Sequence, residues 1–238
     1  MSDLVARVND ANPNPRLACV LALDTSSSMS ACEGGQSPID ELNDGFELFC
    51  NEISTDEVAC KRVEIAVITF GSTAQVALDF REARDLQPQR FTANGLTVMG
   101  AALDLAADEL TRQKQAYRSA DLNYFRPWFF VITDGQPTDG PAFELAAQRI
   151  CEIEAANGVN VFAIGVGGGA DFAQLAKLSK VRAPLRLKGL SFKEFFLWLS
   201  ASMATASRSK EPSRDASGNT TSSEQVSLPA VGWGEVAS

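Results

Sequence analysis

Residues 17–30 read LACVLALDTSSSMS, in which an unbroken apolar run meets a run of hydroxyl side chains at one aspartate, Asp24. An apolar run without polar alternation is typical of a strand that is buried on both faces, as in a parallel sheet covered by helices. In such sheets, ligands bind beyond the carboxyl ends of the strands. The stretch therefore predicts an α/β fold, with its polar residues at the edge where a ligand site is expected.

The rest of the chain alternates predicted strands with predicted helices. Strands are expected at 17–23, 62–70, 74–80, 128–133, 159–166 and 184–187, and helices at 38–54, 98–113, 142–156, 171–178 and 191–206. Right-handed βαβ connections then give a doubly wound, Rossmann-like sheet with helices on both faces. The short spacing between 62–70 and 74–80 indicates a hairpin. We therefore expect a mostly parallel sheet with one antiparallel edge strand.

Composition excludes several classes of function. The chain has 238 residues, of which 45% are hydrophobic and 21% charged, enough for a full core, and its formal net charge is -9. Nucleic-acid and anionic-membrane surfaces depend on a cationic footprint, so neither partner is expected. The sequence contains no histidine. The absence of histidine excludes Ser-His-Asp and Cys-His catalysis, and it excludes zinc sites with imidazole ligands.

The sequence divides into an N-terminal extension (1–14), one domain (15–206) and a Ser/Thr-rich tail (207–238). The tail has 8 Ser, 2 Thr, 3 Gly and 2 Pro in its 32 residues, a composition too polar for a core and typical of a flexible segment. Near its end, Trp233 is flanked by aliphatic residues. Three alternatives stay open for this tryptophan: it docks on the domain, it binds a partner, or it is an isolated apolar residue in a disordered end.

Cysteine usage and the start of the sequence indicate the compartment. The five cysteines are odd in number and form no CxxC pair, which argues against a disulfide framework and a structural zinc site. The first residues lack a basic region followed by an apolar one, and no stretch reaches the length of a membrane span. The sequence therefore predicts a cytoplasmic protein.

Oxygen-bearing side chains collect after three elements of the predicted sheet. Asp24, Ser26 and Ser28 follow the first strand and share one side of an extended loop. Thr97 precedes the Ala-rich helix, and Asp134 follows the strand WFFVIT. Each motif alone is more often a turn or a helix cap, but all of them meet at one edge of the predicted fold. Two carboxylates and three hydroxyls, without nitrogen or sulfur, suit Mg²⁺ or Mn²⁺.

This arrangement resembles the metal-ion-dependent adhesion site (MIDAS) of von Willebrand factor A (VWA) domains. The resemblance covers about residues 15 to 204, and Ser27 replaces the glycine that is common in the middle of the signature. It implies that Ser26, Ser28 and Thr97 contact the metal directly. It also implies that Asp24 and Asp134 act directly or through water.

A narrower resemblance rests on three further stretches. RPWFFVITDGQPTDG (126–140), NVFAIGVG (160–167) and LRLKGLSFKEFFLWLSASM (185–203) are similar to bacterial TerY-like VWA proteins linked to tellurite-resistance and stress gene clusters. This likeness implies a tellurite-resistance or stress-response setting. It also implies a serine/threonine kinase and a metal-dependent phosphatase as partners.

The donor set favours an adaptor over an enzyme. Neutral hydroxyls leave a dication under-neutralised, so that an Asp or Glu of a partner protein would complete its coordination. The alternative is a Mg²⁺-dependent phosphatase of the haloacid-dehalogenase type, which also begins with an aspartate after a buried strand. Those enzymes need a second acidic residue two positions later, where this chain has Ser26. We therefore expect a metal-dependent protein-interaction module without catalytic activity.

Overall fold

A computed structural model describes residues 8–9, 11–31, 35–209 and 232–237 of the chain. The strands are β1 (Leu17–Asp24), β2 (Val63–Phe70), β3 (Ala74–Glu82), β4 (Trp128–Thr133), β5 (Asn160–Val166), β6 (Leu185–Leu187) and β7 (Gly234–Val236). The helices are α1 (Pro38–Thr55), α2 (Ala59–Arg62), α3 (Met99–Ser119), α4 (Pro141–Ala155), α5 (Phe172–Leu175) and α6 (Phe192–Ser207). None of the helices in these residues combines the length and the hydropathy that a membrane span requires.

The strands form one sheet in the order β3-β2-β1-β4-β5-β6-β7. Strands β2, β1, β4, β5 and β6 are parallel to one another, whereas β3 runs antiparallel to β2. The predicted α/β class, the mostly parallel sheet and the antiparallel edge hairpin are therefore confirmed. The sequence did not predict a second antiparallel strand, β7, which lies at the opposite edge beside β6.

Hydrophobic layers cover both faces of the sheet. One layer packs α1 and α6 against side chains of alternate residues of β1, including Cys19 and Leu21. The other packs α3 and α4 against the intervening residues, including Val20 and Ala22. All eight residues of β1 are buried, which is the burial that its unbroken apolar run predicts.

The order of the strands reverses at β1. Chain connections run from β1 outward to β2 and β3 on one side, and from β4 through β5 to β6 on the other. Because β1 and β4 are adjacent and parallel, their carboxyl ends meet at this switch point. Asp24 ends β1 and Thr133 ends β4, so the residues that follow both strands lie at one end of the sheet.

Part of the segment predicted as a flexible tail, 207–238, packs on the domain. Residues 234–236 form β7, and Trp233 is 3% exposed in the core layer of α6. Of the alternatives open for this tryptophan, docking on the domain is the one found. Sequence periodicity could not reveal a strand of three residues, because its position depends on a distant partner. Residues 210–231 lie outside the described part of the chain.

A buried polar cluster fixes the start of β1 at the amino end of the sheet. Arg16 is fully buried, and its Nε atom lies 3.0 Å from Oε1 of Glu64. Its Nη2 donates to the carbonyl of Asn12 at 2.7 Å, and the side chain of Asn12 donates to Oε1 of Glu82 at 2.9 Å. The other Glu64 oxygen accepts a hydrogen bond from Gln113 at 2.6 Å. The end of the predicted N-terminal extension is therefore bonded to the domain.

Replacing Arg16 is expected to destabilise the domain. In Arg16→Ala, Glu64 stays buried without its cation, so the free energy of unfolding should fall by about 3–5 kcal/mol. The matched control is Arg149→Ala, because Arg149 also pairs with two carboxylates, Asp104 and Asp108, but is 41% exposed. Its loss should be below about 1 kcal/mol. Urea unfolding followed by circular dichroism measures both, and equal losses would contradict the buried ion pair as the source of stability.

Candidate metal centre

The carboxylate of Asp24 is the most deeply buried group of the candidate site. Asp24 is the last residue of β1 and is 0% exposed. Its Oδ1 accepts a hydrogen bond from the backbone N–H of Ser26 at 2.7 Å. Its Oδ2 accepts from the hydroxyl of Thr133, the last residue of β4. The carboxylate therefore ties the carboxyl ends of the two central strands to each other.

Two serine hydroxyls beside this carboxylate form a row that leads to the surface. The Oγ atoms of Ser26 and Ser28 lie 2.9 Å apart, and the Ser28 hydroxyl donates to Oδ1 of Asp134 at 2.7 Å. Ser26 is buried, Asp134 is half-buried and Ser28 is exposed. The oxygens of Ser26, Ser28 and Asp134 are thus hydrogen-bonded in a row that leads toward solvent, and the Ser26 N–H connects this row to the buried Asp24 carboxylate.

Thr97 faces the same place from a different loop. A β-carbon placed on Gly135 would lie 3.5 Å from Oγ1 of Thr97 and 3.9 Å from Oγ of Ser28. Both hydroxyls therefore lie beside Gly135, the residue after Asp134. Backbone bonds hold this position, because Thr138 N–H donates to the Thr97 carbonyl at 2.9 Å and Thr97 N–H donates to Oγ1 of Thr138 at 3.2 Å.

Two glycines allow the loop that carries Thr97 to approach β1. A β-carbon on Gly71 would lie 2.4 Å from the carbonyl oxygen of Asn94, and Gly95 has a φ of +85°. A side chain at the first position would collide with the loop, and at the second it would be strained. The approach lets Gly95 N–H donate to Oγ of Ser27 at 2.8 Å, while Ser27 N–H donates to the Gly95 carbonyl at 3.0 Å.

Burial disfavours the charge on both carboxylates. Desolvation raises the pKa of Asp24 from 3.8 to about 6, against the hydrogen bonds from Ser26 and Thr133, and the nearby Asp134 raises it further. Desolvation also raises the pKa of Asp134. The ion pairs found among the described residues include neither aspartate. Two carboxylates thus share a site without a cationic side chain, an arrangement that a bound cation would stabilise.

All five residues predicted as ligands lie at the end of the sheet where the central strands β1 and β4 have their carboxyl ends. Hydrogen bonds connect Asp24, Ser26, Ser28 and Asp134, and Thr97 lies beside them. Sequence reasoning missed Thr133, which bonds to Asp24, and the support that Ser27 and Thr138 give to the loop of Thr97. The position of Thr133 directly before Asp134 was the available signal. Nothing local in the sequence marks Ser27 or Thr138, because their partners are distant along the chain.

The residues present fit a hard divalent cation. Their donor atoms are carboxylate and hydroxyl oxygens, and the hydroxyls contact one another at hydrogen-bond distance. Within the described ranges, no group of three or more His, Cys, Asp or Glu side chains is arranged to hold a metal. Metal binding here would therefore require serine and threonine hydroxyls in addition to the two aspartates.

Comparisons with known proteins identify the same fold. The profile of the von Willebrand factor type A domain matches residues 19–192. The chain is similar to the solved structure of von Willebrand factor type A from Catenulispora acidiphila, with 18% identity, a TM-score of 0.59, and coverage of 80% of this chain and 43% of that chain. No match was found among curated protein sequences.

Two further solved structures share the fold. One is proximal thread matrix protein 1 from the mussel byssus with a zinc-occupied MIDAS motif, at 17% identity, a TM-score of 0.51, and coverage of 80% of this chain and 48% of that chain. The other is the pilus adhesin SpaC from Lactobacillus rhamnosus GG, at 14% identity, a TM-score of 0.61, and coverage of 81% and 31%. The chain spans less than half the length of each of the three structures.

Removing the buried charge of Asp24 is expected to stabilise the metal-free protein. The folded state keeps a proton on Asp24 between about pH 4 and pH 6, where the unfolded chain has released it, so stability falls as pH rises through this window. At about 1.4 kcal/mol per pKa unit, Asp24→Asn in EDTA at pH 8 should raise the free energy of unfolding by about 1–3 kcal/mol.

Denaturant unfolding between pH 4.5 and pH 8 tests this expectation. The control is Asp104→Asn, whose side chain is 50% exposed and whose replacement should change stability by less than about 0.5 kcal/mol. If the free energies of unfolding of the wild type and Asp24→Asn depend on pH in the same way, the buried carboxylate does not destabilise the folded state as expected.

Proposed function

The chain belongs to the von Willebrand factor type A domain family, since the family profile matches residues 19–192, and on this premise we propose that it is a metal-dependent protein-interaction module. The observation that carries the proposal is a hydrogen-bonded row of residues: the Ser26 N–H donates to Asp24, the Ser26 and Ser28 hydroxyls contact each other, and Ser28 donates to Asp134. This row begins at a buried carboxylate, includes an exposed hydroxyl and ends at a half-buried carboxylate. Such a row suits a cation that is bound on the buried side of the site and can be reached from solvent on the other side.

In this proposal, Ser26, Ser28 and Thr97 bind the metal directly, and Asp24 and Asp134 bind it directly or through water. When bound, the ion supplies a Lewis acid to which a carboxylate from outside can bind. The chain's own residues hold the proposed ligands in place: Thr133 and the Ser26 N–H fix Asp24, and Thr138 fixes the loop of Thr97. We propose Mg²⁺ or Mn²⁺ because all the donors are hard oxygens.

The partner proposed for this site is a protein that presents an Asp or Glu side chain. Because the first ligands are mostly neutral, the dication keeps an excess of positive charge that an incoming carboxylate can neutralise. The pairing is directional, since it requires one acidic side chain at one open position. This requirement distinguishes the site from a general electrostatic attraction, which the net charge of -9 would oppose for acidic partners.

The narrower resemblance to TerY-like proteins supplies the biological part of the proposal. We propose that the module acts in the cytoplasm, in a bacterial stress or tellurite-resistance system, with a serine/threonine kinase and a metal-dependent phosphatase as partners. This part rests on the likeness of residues 126–140, 160–167 and 185–203 alone. The metal-dependent interaction stands independently of it.

We propose that the module is not an enzyme. The chain contains no histidine, and no lysine occurs in the segments that carry the five oxygens. The position two residues after Asp24, where a haloacid-dehalogenase-type phosphatase needs an acid, holds a serine whose hydroxyl bonds to Ser28. General acid or base catalysis would then fall to Asp24 or Asp134, whose carboxylates a nearby dication would keep ionised and weakly basic.

Replacing one ligand hydroxyl is expected to weaken metal binding. Ser28→Ala should reduce the affinity for Mn²⁺ by about tenfold or more, because a directly bound oxygen is lost, while Ser30→Ala should leave it unchanged. Ser30 is the matched control because it is an exposed serine two positions away whose hydroxyl donates to the Ser27 carbonyl. Titration calorimetry and Mn²⁺ electron paramagnetic resonance measure both variants. Wild-type protein that binds neither Mg²⁺ nor Mn²⁺ at millimolar concentrations would contradict the proposed site.

Partner binding is expected to follow the metal. Protein captured from a bacterial lysate by the wild type should be lost in EDTA and restored by Mg²⁺, and Asp24→Ala should capture none of it while staying folded. Quantitative mass spectrometry of the captured proteins makes the comparison, with Asp104→Ala as a control. Metal-dependent hydrolysis of phosphoesters that disappears in Asp24→Asn would overturn the adaptor and favour the phosphatase.

A further inference from the structure

Strand β7 fills the outer edge of β6 with a short segment from the end of the described chain. The residue pairs are Leu185↔Val236, Arg186↔Glu235 and Leu187↔Gly234. Two flanking bonds extend the ladder, since Lys188 N–H donates to the Trp233 carbonyl at 2.8 Å and Ala237 N–H donates to the Pro184 carbonyl at 3.0 Å. These contacts involve only backbone atoms, so they are available to any extended segment that reaches β6.

Trp233 provides the specific part of this contact. Its ring centroid lies 5.0 Å from Phe195 and 5.2 Å from Trp198, two residues of α6 that we call the aromatic notch. Phe195 also packs against Phe130 of β4 at 5.9 Å, so this side of the notch is held by the core. The notch accommodates one indole ring.

The rest of the segment is bound loosely. Glu235 is exposed, and Val236 is 59% exposed. Nε1 of Trp233 is buried and has no hydrogen-bond partner among the described residues, which reduces the free energy gained when the ring is buried. A β-carbon on Gly234 would lie 3.2 Å from the carbonyl oxygen of Arg186, so a small residue must follow the tryptophan. Recognition therefore depends on the tryptophan, on a small residue after it, and on the backbone of the next three residues.

We propose that the edge of β6 and the aromatic notch form a strand-binding site that accepts the C-terminal segment of a second copy of this chain by exchange. A second copy carries the same Trp233 and Gly234, so exchange would preserve every contact described above. Residues 210–231 separate α6 and its last turn from this segment. A stretch of that length can span up to roughly 70 Å when extended, enough to reach a neighbouring molecule.

The length of that stretch also sets the concentration at which exchange occurs. A chain's own segment competes at an effective concentration on the order of millimolar. Separate copies at micromolar concentration therefore keep their own strand, and exchange occurs at about millimolar concentration or where copies are held together. This binding does not involve the metal site, so it is expected to persist in EDTA.

A fluorescein-labelled peptide of residues 228–238 tests the site in the full-length chain. In EDTA, the peptide should bind Trp233→Ala with a dissociation constant of about 10–100 µM, and it should bind the wild type at least about tenfold more weakly, because the intact segment competes at an effective concentration of about 1 mM. Gly234→Val, in which the new side chain crowds Arg186, is a second variant that should also bind the peptide. Fluorescence polarisation measures affinity, and circular dichroism verifies that each variant is folded.

A peptide whose tryptophan is replaced by alanine is the matched control and should not bind. The proposal is overturned if the unmodified peptide fails to bind both folded variants up to about 1 mM, or if the control peptide binds equally well. For exchange between copies, sedimentation velocity of the wild type near 1 mM should reveal a dimer that Trp233→Ala lacks. Absence of that dimer, or its persistence in Trp233→Ala, would contradict exchange.

Discussion

The buried carboxylate of Asp24 is the constraint on which the candidate site depends. It ends the strand at which the sheet order reverses, and its two oxygens accept hydrogen bonds from the loop after β1 and from the end of β4. A carboxylate without a cation is costly in this position, and desolvation raises its pKa to about 6. The fold therefore keeps a destabilising carboxylate at a place where a bound cation would offset its desolvation. A buried carboxylate with a raised pKa is expected at a functional site rather than in a structural core.

The fold was predictable from sequence where the pattern is local. The apolar run before Asp24 fixed a doubly buried strand, and the spacing of Asp24, Ser26 and Ser28 placed three oxygens on one side of a loop. Asp134 could be joined to them because parallel strands end at a common edge. Thr97 follows the antiparallel strand β3, so only its position ahead of the Ala-rich helix indicated it. The mutual bonds of Ser27 with Gly95, and of Thr97 with Thr138, could not be inferred, since each connects loops that only the folded sheet brings together.

The two ends of the chain show a second limit of structure prediction from a single sequence. A charged residue before a strand is normally exposed, so Arg16 gave no sign that it is buried against Glu64. At the other end, Gly-Glu-Val has no periodicity that indicates a strand, and Trp233 is buried only because α6 presents Phe195 and Trp198. In both cases, one long-range side-chain contact determines the local structure, and single-sequence patterns report only local preference.

The hydrogen bonds among the residues of the site bear on how tightly an ion can bind. The hydroxyls of Ser26 and Ser28 contact each other and Ser28 donates to Asp134, so these oxygens already have hydrogen-bond partners within the protein. A cation that uses these oxygens must replace those hydrogen bonds, and its net gain is the coordination energy minus their loss. The unpaired charge of Asp24 acts in the opposite direction, because a cation relieves its desolvation. Affinity should therefore be modest for the ion alone, and higher when a partner carboxylate adds the charge that the hydroxyls lack.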